Sequence, residues 1–154
     1  MHPGKVISIH ISPEASQRMQ SLSQVNTAAG KGLEGDRYYR ATGTYSNKPD
    51  PARQVTLIEL ESIEALLSEH GIRILPGDSR RNLVTRDVAL NHLVGKEFKV
   101  GETILRGIRL CEPCTHLESL TQEGVMSGLV HRGGLRAEIL SGGLIRVNDD
   151  ISVI

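Results

Sequence analysis

Apolar and polar residues alternate from the start of the chain. Over residues 5–12, Ile7, Ile9 and Ile11 fall on one face and Ser8 and His10 on the other, which predicts a half-buried strand. Ser12-Pro13-Glu14 then reads either as a helix start, with Met19, Leu22 and Val25 at helical spacing, or as a turn before an irregular strand. Residues 26–49 lose all periodicity, are rich in Gly, Asn, Thr and charge, and read as one long functional loop. Gln54 to Ile58 predicts a strand. Glu59 to His70 predicts the clearest helix, with Leu60, Ile63, Leu66 and Leu67 as its apolar stripe and Gly71 as its stop. A short strand is expected over 72–75 and a turn at Pro76-Gly77-Asp78, with a strand beginning at Arg81-Asn82. Lys96 to Val100 and Thr103 to Cys111 flank a Gly101-Glu102 turn and predict a hairpin. A broken helix follows, with Leu117, Leu120, Val125 and Leu129 interrupted at Gly124 and Gly128. Leu135 to Leu140 and Leu144 to Val147 predict a second hairpin, and Ile151 to Ile154 a last strand. Strands dominate and do not alternate regularly with helices. The pattern therefore predicts a mainly β, barrel-like fold with a few helices, in one domain spanning 1–154.

Composition narrows the functional classes. The 18 basic and 18 acidic side chains cancel, which argues against a nucleic-acid binder. The chain has no Trp and one Phe, so a base-stacking surface is disfavoured as well. No run approaches the roughly 20 apolar residues of a membrane span. The start, Met1-His2-Pro3-Gly4-Lys5, has no signal-peptide character. A cytoplasmic, membrane-free protein is expected. In that compartment the two cysteines are expected to be catalytic, metal-binding or buried rather than paired in a structural disulfide.

Both cysteines lie in Leu110-Cys111-Glu112-Pro113-Cys114-Thr115-His116-Leu117-Glu118. The Cys-x-x-Cys spacing is compatible with a redox dithiol, a zinc site with His116, two buried thiols, or one functional thiolate. Of the two, Cys114 is the better candidate nucleophile or soft ligand, because the helix-like run begins just after it and a helix N-terminus favours a thiolate. Basic residues gather at Gly-containing turns: Lys31, Arg37, Arg80, Arg81, Arg86, Arg132 and Arg136. Guanidiniums clamp phosphates, and Gly-rich backbone lets amides approach an anion. His131, beside Arg132-Gly133-Gly134, has a better claim to an anion site than His10, His70, His92 or His116.

Several stretches, taken in order, carry a resemblance. They are Gly32-Leu33-Glu34-Gly35-Asp36-Arg37-Tyr38, Arg53-Gln54-Val55-Thr56-Leu57, Arg80-Arg81-Asn82-Leu83-Val84-Thr85, Leu93 to Gly101, Glu112-Pro113-Cys114-Thr115-His116-Leu117 and His131 to Ala137. Together, from Gly4-Lys5-Val6 to Asn148-Asp149-Asp150, they resemble the MOSC domain, the C-terminal domain of molybdenum cofactor sulfurases, in its standalone bacterial form. The resemblance implies a β-barrel-like fold and a molybdenum–molybdopterin cofactor. It places Cys114 as the residue that carries sulfur as a persulfide or coordinates molybdenum. Arg81 and Asn82 would hold the phosphate and pterin, helped by Asp36 and Arg37, with Lys31, His131 and Arg132 completing the expected binding set. Two activities fit the family: sulfur transfer, or reduction of N-hydroxylated compounds. No pyridoxal-phosphate desulfurase module is recognised in the chain, so a cysteine desulfurase or a redox partner protein is expected. Cys111 lies outside the family pattern. Two other classes remain in view at this point: a non-catalytic barrel that binds an anion or a protein, and a structural zinc protein.

Overall fold

The computed structural model describes residues 3–39 and 50–154. The elements in order are β1 (Gly4–Ile11), β2 (Gln20–Leu22), β3 (Gln24–Ala28), β4 (Gly32–Leu33), β5 (Val55–Glu59), α1 (Leu60–His70), β6 (Leu83–Arg86), β7 (Glu97–Val100), β8 (Thr103–Leu110), α2 (Thr115–Leu120), α3 (Val125–Gly128), β9 (Leu135–Ser141), β10 (Leu144–Arg146) and β11 (Asp150–Val153). Seven strands close a barrel in the order β11-β7-β8-β9-β5-β6-β1, with β1 returning to β11 through Gly4↔Ile151. β2 adds to the far half of β1. Closure leaves these seven strands no long unpaired edge. The β5–β6 pair is parallel and the other barrel pairs are antiparallel. A parallel pair needs a crossover, and α1 supplies it.

Two apolar clusters result. Val6, Ile9, Leu57, Leu83, Phe98, Leu105 and Leu135 fill the barrel. Ile58 and Val84 point outward from the same strands and pack under Ile63, Leu66, Leu117, Val125 and Leu129 of the helices. Strands covered on both faces are apolar at successive positions, which explains the pair Leu57-Ile58. The helix ends where expected: Gly71 adopts φ +67°, and its N–H is directed at the Leu66 and Leu67 carbonyls.

Four expectations are corrected and one open alternative is decided. A bulge between Val6 and Ser8 breaks the alternation in β1, so Val6, Ile9 and Ile11 enter the barrel while Ile7 packs outside it against the helical cluster. Of the two readings for 12–25, the turn and irregular strands are realised; the Ser12 hydroxyl bonds the Glu14 carbonyl at 2.7 Å rather than starting a helix. The loop expected from residue 26 is partly structured, since Thr27↔Leu33 and Ala28↔Gly32 form a short hairpin; its stretch 40–49 lies outside the described residues. The expected strand at 72–75 does not form. A further pairing also differs. β9 and β10 form no hairpin; β10 turns away at Gly142-Gly143 and pairs with β3 through Ile145↔Val25. Pairing partners depend on where strands lie in space, which the local pattern does not encode.

His10 gives a pH test of this fold. Its ring is held by Ser8 at 2.8 Å and Ser21 at 3.2 Å. Burial pushes its pKa below the ordinary 6.5, with the Asp78 carboxylate opposing in part. The unfolded chain then binds more protons than the native one. Stability is therefore full above pH 6.5 and falls as the pH drops from there toward the lower folded value. Denaturant midpoints measured from pH 7.5 to 5.5 should decline in the wild type and decline less in His10→Gln; parallel curves would refute the assignment.

Candidate functional site

β8 ends at Leu110, and the chain continues as Cys111-Glu112-Pro113 before Cys114 caps α2 in an extended conformation (φ −137°). The Cys114 carbonyl accepts the Glu118 N–H at 3.1 Å, the first bond of the helix. Cys111 is 1% exposed and Cys114 half-buried, and both are free thiols. They share one cleft of about 70 Å³ with Arg37, Tyr38, Thr56, Arg80, Arg81, Asn82, Glu112, His116, Leu117 and Arg136.

Two connections and a strand build the facing walls. Arg37 and Tyr38 follow β4. Arg80, Arg81 and Asn82 follow the 3-10 turn Pro76–Ser79, which ends with Arg80 at φ +60°. Arg136 sits on β9, opposite Arg109 of β8 and Thr56 of β5. The two most conspicuous polar residues are engaged with the backbone. Arg81 donates from Nε to the Gly133 carbonyl at 2.7 Å, from Nη2 to Cys111 at 2.9 Å and from Nη1 to Ser79 at 3.3 Å. Asn82 Oδ1 accepts the Thr56 N–H at 3.0 Å, and its Nδ2 donates to the His10 carbonyl at 3.1 Å. Arg81 therefore binds the thiol loop to the 133 loop and the start of β6. Asn82 ties β5 to β1. Both also contribute to the cleft surface.

Asp36 is buried behind the cleft. Its Oδ1 accepts the Ser12 N–H at 3.0 Å and meets Arg37 Nη1 at 3.2 Å, while Arg37 lies 4.9 Å from the Tyr38 ring centroid. Asp36 thus orients Arg37 rather than lining the cleft. Arg80 donates to the Gln17 carbonyl. Burial, reinforced by the neighbouring Arg37 and Arg81 charges, pulls its pKa down to about 10. It stays protonated at neutral pH. Four guanidiniums crowd around one thiol-bearing cleft, and such crowding is relieved by an anionic ligand.

The remaining candidates do not converge here. Lys31 is exposed and stacks over Tyr39 at 5.4 Å, away from the cleft. His131 and Arg132 line a separate hollow of about 330 Å³ with Glu59, Glu61, Glu69 and Asn91. There His131 Nδ1 meets Glu112 at 2.8 Å and Arg132 pairs with Glu69. His131 touches the cleft only indirectly, through Glu112, which accepts its N–H at 2.7 Å. Arg80, Tyr38, His116 and Arg136 belong to the cleft and were absent from the expected binding set. Their signal was weak, because each is separated by 18 or more residues from the 110–118 segment or, like His116, resembles an ordinary helix residue. Among the described residues no group of three or more His, Cys, Asp or Glu is arranged to hold a metal ion, which leaves a structural zinc site without a ligand set. No described helix is long and apolar enough to cross a membrane.

The fold is similar to that of the YuaD protein from Bacillus subtilis, with a TM-score of 0.80 at 17% identity over 99% of this chain and 96% of that one. YiiM from Geobacillus stearothermophilus matches with a TM-score of 0.76 at 11% identity, over 99% of this chain and 75% of that one. YiiM from Escherichia coli matches at 0.65 and 16%, over 99% and 68%. At such identities the likeness concerns the fold. No curated protein sequence matches the chain. The MOSC-domain family model matches residues 44–152, which include β5 to β11, the thiol loop and the Arg80-Arg81 turn, and the chain belongs to the MOSC-domain family.

Proposed function

We propose that this MOSC-domain protein is a molybdenum-cofactor-binding protein in which Cys114 carries sulfur for transfer. The observation that supports this reading is the half-buried Cys114 thiol in a cleft bordered by Arg37, Arg80, Arg81 and Arg136. A thiol is a soft group suited to carrying sulfur or bonding a heavy metal, and guanidiniums suit a phosphate. The donor set therefore fits the anionic end of molybdenum–molybdopterin. The cleft is well below the usual volume of roughly 300 Å³ or more for a whole small-molecule site, so it accommodates a phosphate or a sulfur-bearing end rather than a complete pterin.

Arg80 and Arg136 would hold the phosphate. Among the described residues Arg136 has no side-chain partner to give up, while Arg80 has one carbonyl contact. Arg37 would add charge, held in place by Asp36. Cys114 would present sulfur or ligate the metal. When bound, the cofactor supplies two-electron oxo or sulfido chemistry. Sulfur itself would arrive from a pyridoxal-phosphate cysteine desulfurase as partner. A non-catalytic anion-binding barrel is the competing reading; it needs the guanidiniums and not the thiol.

The test compares wild type, Cys111→Ala, Cys114→Ser and Arg136→Ala produced in cells that make the cofactor. Bound molybdenum and the fluorescent pterin oxidation product are measured, and intact mass is recorded after incubation with a cysteine desulfurase. The wild type should retain pterin, and Cys111→Ala, in which no second thiol competes, should gain one sulfur atom on Cys114. Cys114→Ser should lose the sulfur adduct, and Arg136→Ala should lose at least about half of the pterin, the scale expected from one charge-assisted contact. Full pterin retention by Cys114→Ser, with no sulfur ever gained by Cys111→Ala, would favour the anion-binding barrel.

A further inference from the structure

We propose that Cys111 resolves a sulfur-loaded Cys114, releasing sulfide and leaving a Cys111–Cys114 disulfide. This rests on the reading of Cys114 as a sulfur acceptor. The supporting feature is that two free thiols, three residues apart, line the same cleft with unequal exposure. Cys114 is half-buried at the mouth of α2. Cys111 is 1% exposed and lines the same cleft.

That inequality sets an order of events. A bulky sulfur donor reaches Cys114 and not Cys111. Once Cys114 carries an extra sulfur, the nearby nucleophile is the buried thiol. Cys111 is also held in place at both backbone polar groups: its N–H donates to the Gly134 carbonyl at 2.7 Å and its carbonyl accepts Arg81 Nη2 at 2.9 Å. A tethered and fixed thiol reacts far faster than one in solution, because the entropy of encounter is already lost.

The step balances as thiol–disulfide exchange. The Cys111 sulfur, after losing its proton, attacks the inner sulfur, Cys114 Sγ. The Cys111–Cys114 S–S bond forms. The bond from Cys114 Sγ to the terminal sulfur breaks, and hydrosulfide leaves with the electron pair and takes up a proton as hydrogen sulfide. The disulfide then requires two electrons from a thiol or dithiol reductant before another cycle. The leaving hydrosulfide is an anion, and the surrounding guanidiniums favour its formation. In the absence of an acceptor the protein would discharge sulfur instead of storing it, so Cys111 makes the loaded state transient.

The experiment uses the full chain as wild type, Cys111→Ala and Cys111→Ser, each reduced, desalted and exposed to inorganic polysulfide. Remaining thiols are alkylated, and intact and peptide masses are read without reductant. Both variants should hold one extra sulfur on Cys114, at an occupancy at least about tenfold above wild type, as expected when the tethered competing thiol is removed. The wild type should instead lose two hydrogen atoms and show both cysteines protected from alkylation in linked peptides. Equal adduct on wild type and variants overturns the resolving role of Cys111 while leaving Cys114 a sulfur acceptor. No adduct on either variant and no mass change in the wild type overturns both. Circular dichroism of the two variants, one apolar and one near-isosteric, establishes that the folded protein is being compared.

Discussion

Replacing Gly134 with alanine is expected to abolish the native fold. Gly134 has φ +110°, and a Cβ there would lie 1.9 Å from the Leu57 carbonyl oxygen and 3.0 Å from its carbon. Both atoms are backbone of a central barrel strand, so neither can rotate aside. The strand cannot retreat, because β5 is hydrogen-bonded to β6 on one edge and to β9 on the other. The same residue also accepts the Cys111 N–H. Strained backbone and a displaced strand together should cost more than about 4 kcal/mol, a large share of a domain's total stability. Soluble yield and thermal unfolding check this; a melting temperature within a few degrees of wild type would refute it. Gly133 shows the same constraint toward the site. A Cβ there would meet the Cys111 carbonyl at 2.3 Å and Pro113 Cδ at 2.9 Å. The glycine pair lets the thiol loop lie directly on the chain before β9.

The second large effect is expected at Arg81. Arg81→Met keeps the length of the side chain and leaves the carbonyls of Ser79, Cys111 and Gly133 without their donor. An unsatisfied buried acceptor costs about 1–3 kcal/mol, and part of this loss is recovered by relaxation, so a net destabilisation of about 3 kcal/mol is expected. Arg81→Lys should rescue less than half of it, because one ammonium cannot reproduce the spread of three guanidinium nitrogens. Chemical denaturation measures the loss. Sulfur loading of Cys114 should fall as well, since Arg81 anchors the loop that carries both cysteines. A stability within about 0.5 kcal/mol of wild type, the range of an ordinary surface change, would show that these bonds contribute nothing net.

Arg81 and Asn82 also show how far a motif can be interpreted. Their position at a strand start marked them correctly as unusual. The cofactor contacts expected of them compete with backbone bonds already in place, and Arg81 retains only part of its donor set for a ligand. Arg136 and Arg80 are better placed to give charge to an anion. Arg136 has no described partner, and Arg80 is held to one carbonyl and crowded by like charges. Asp36 acts one step back, through Arg37.

The sequence by itself determined the strand-dominated fold class, the helix at 60–70 with its Gly71 stop, the β7–β8 turn, the break at Gly124 and Cys114 as the residue at a helix start. Each of these depends on local periodicity, or on the conformational range of one glycine, and such signals act over a few residues. The tertiary structure decided what local signals cannot carry. The bulge in β1 moved Ile7 outside and brought Val6 inside, because a register shift is set by the partner strand. β10 joined β3 instead of β9, because β8 and β5 already occupy both edges of β9. The expected site residues separated into a cleft, a buried support at Asp36, an exposed Lys31 and a second hollow with His131 and Arg132. The connections after β4, before β6 and after β8 meet β5 and β9 at the cleft only once the sheets are packed in space, and no spacing along the chain specifies it.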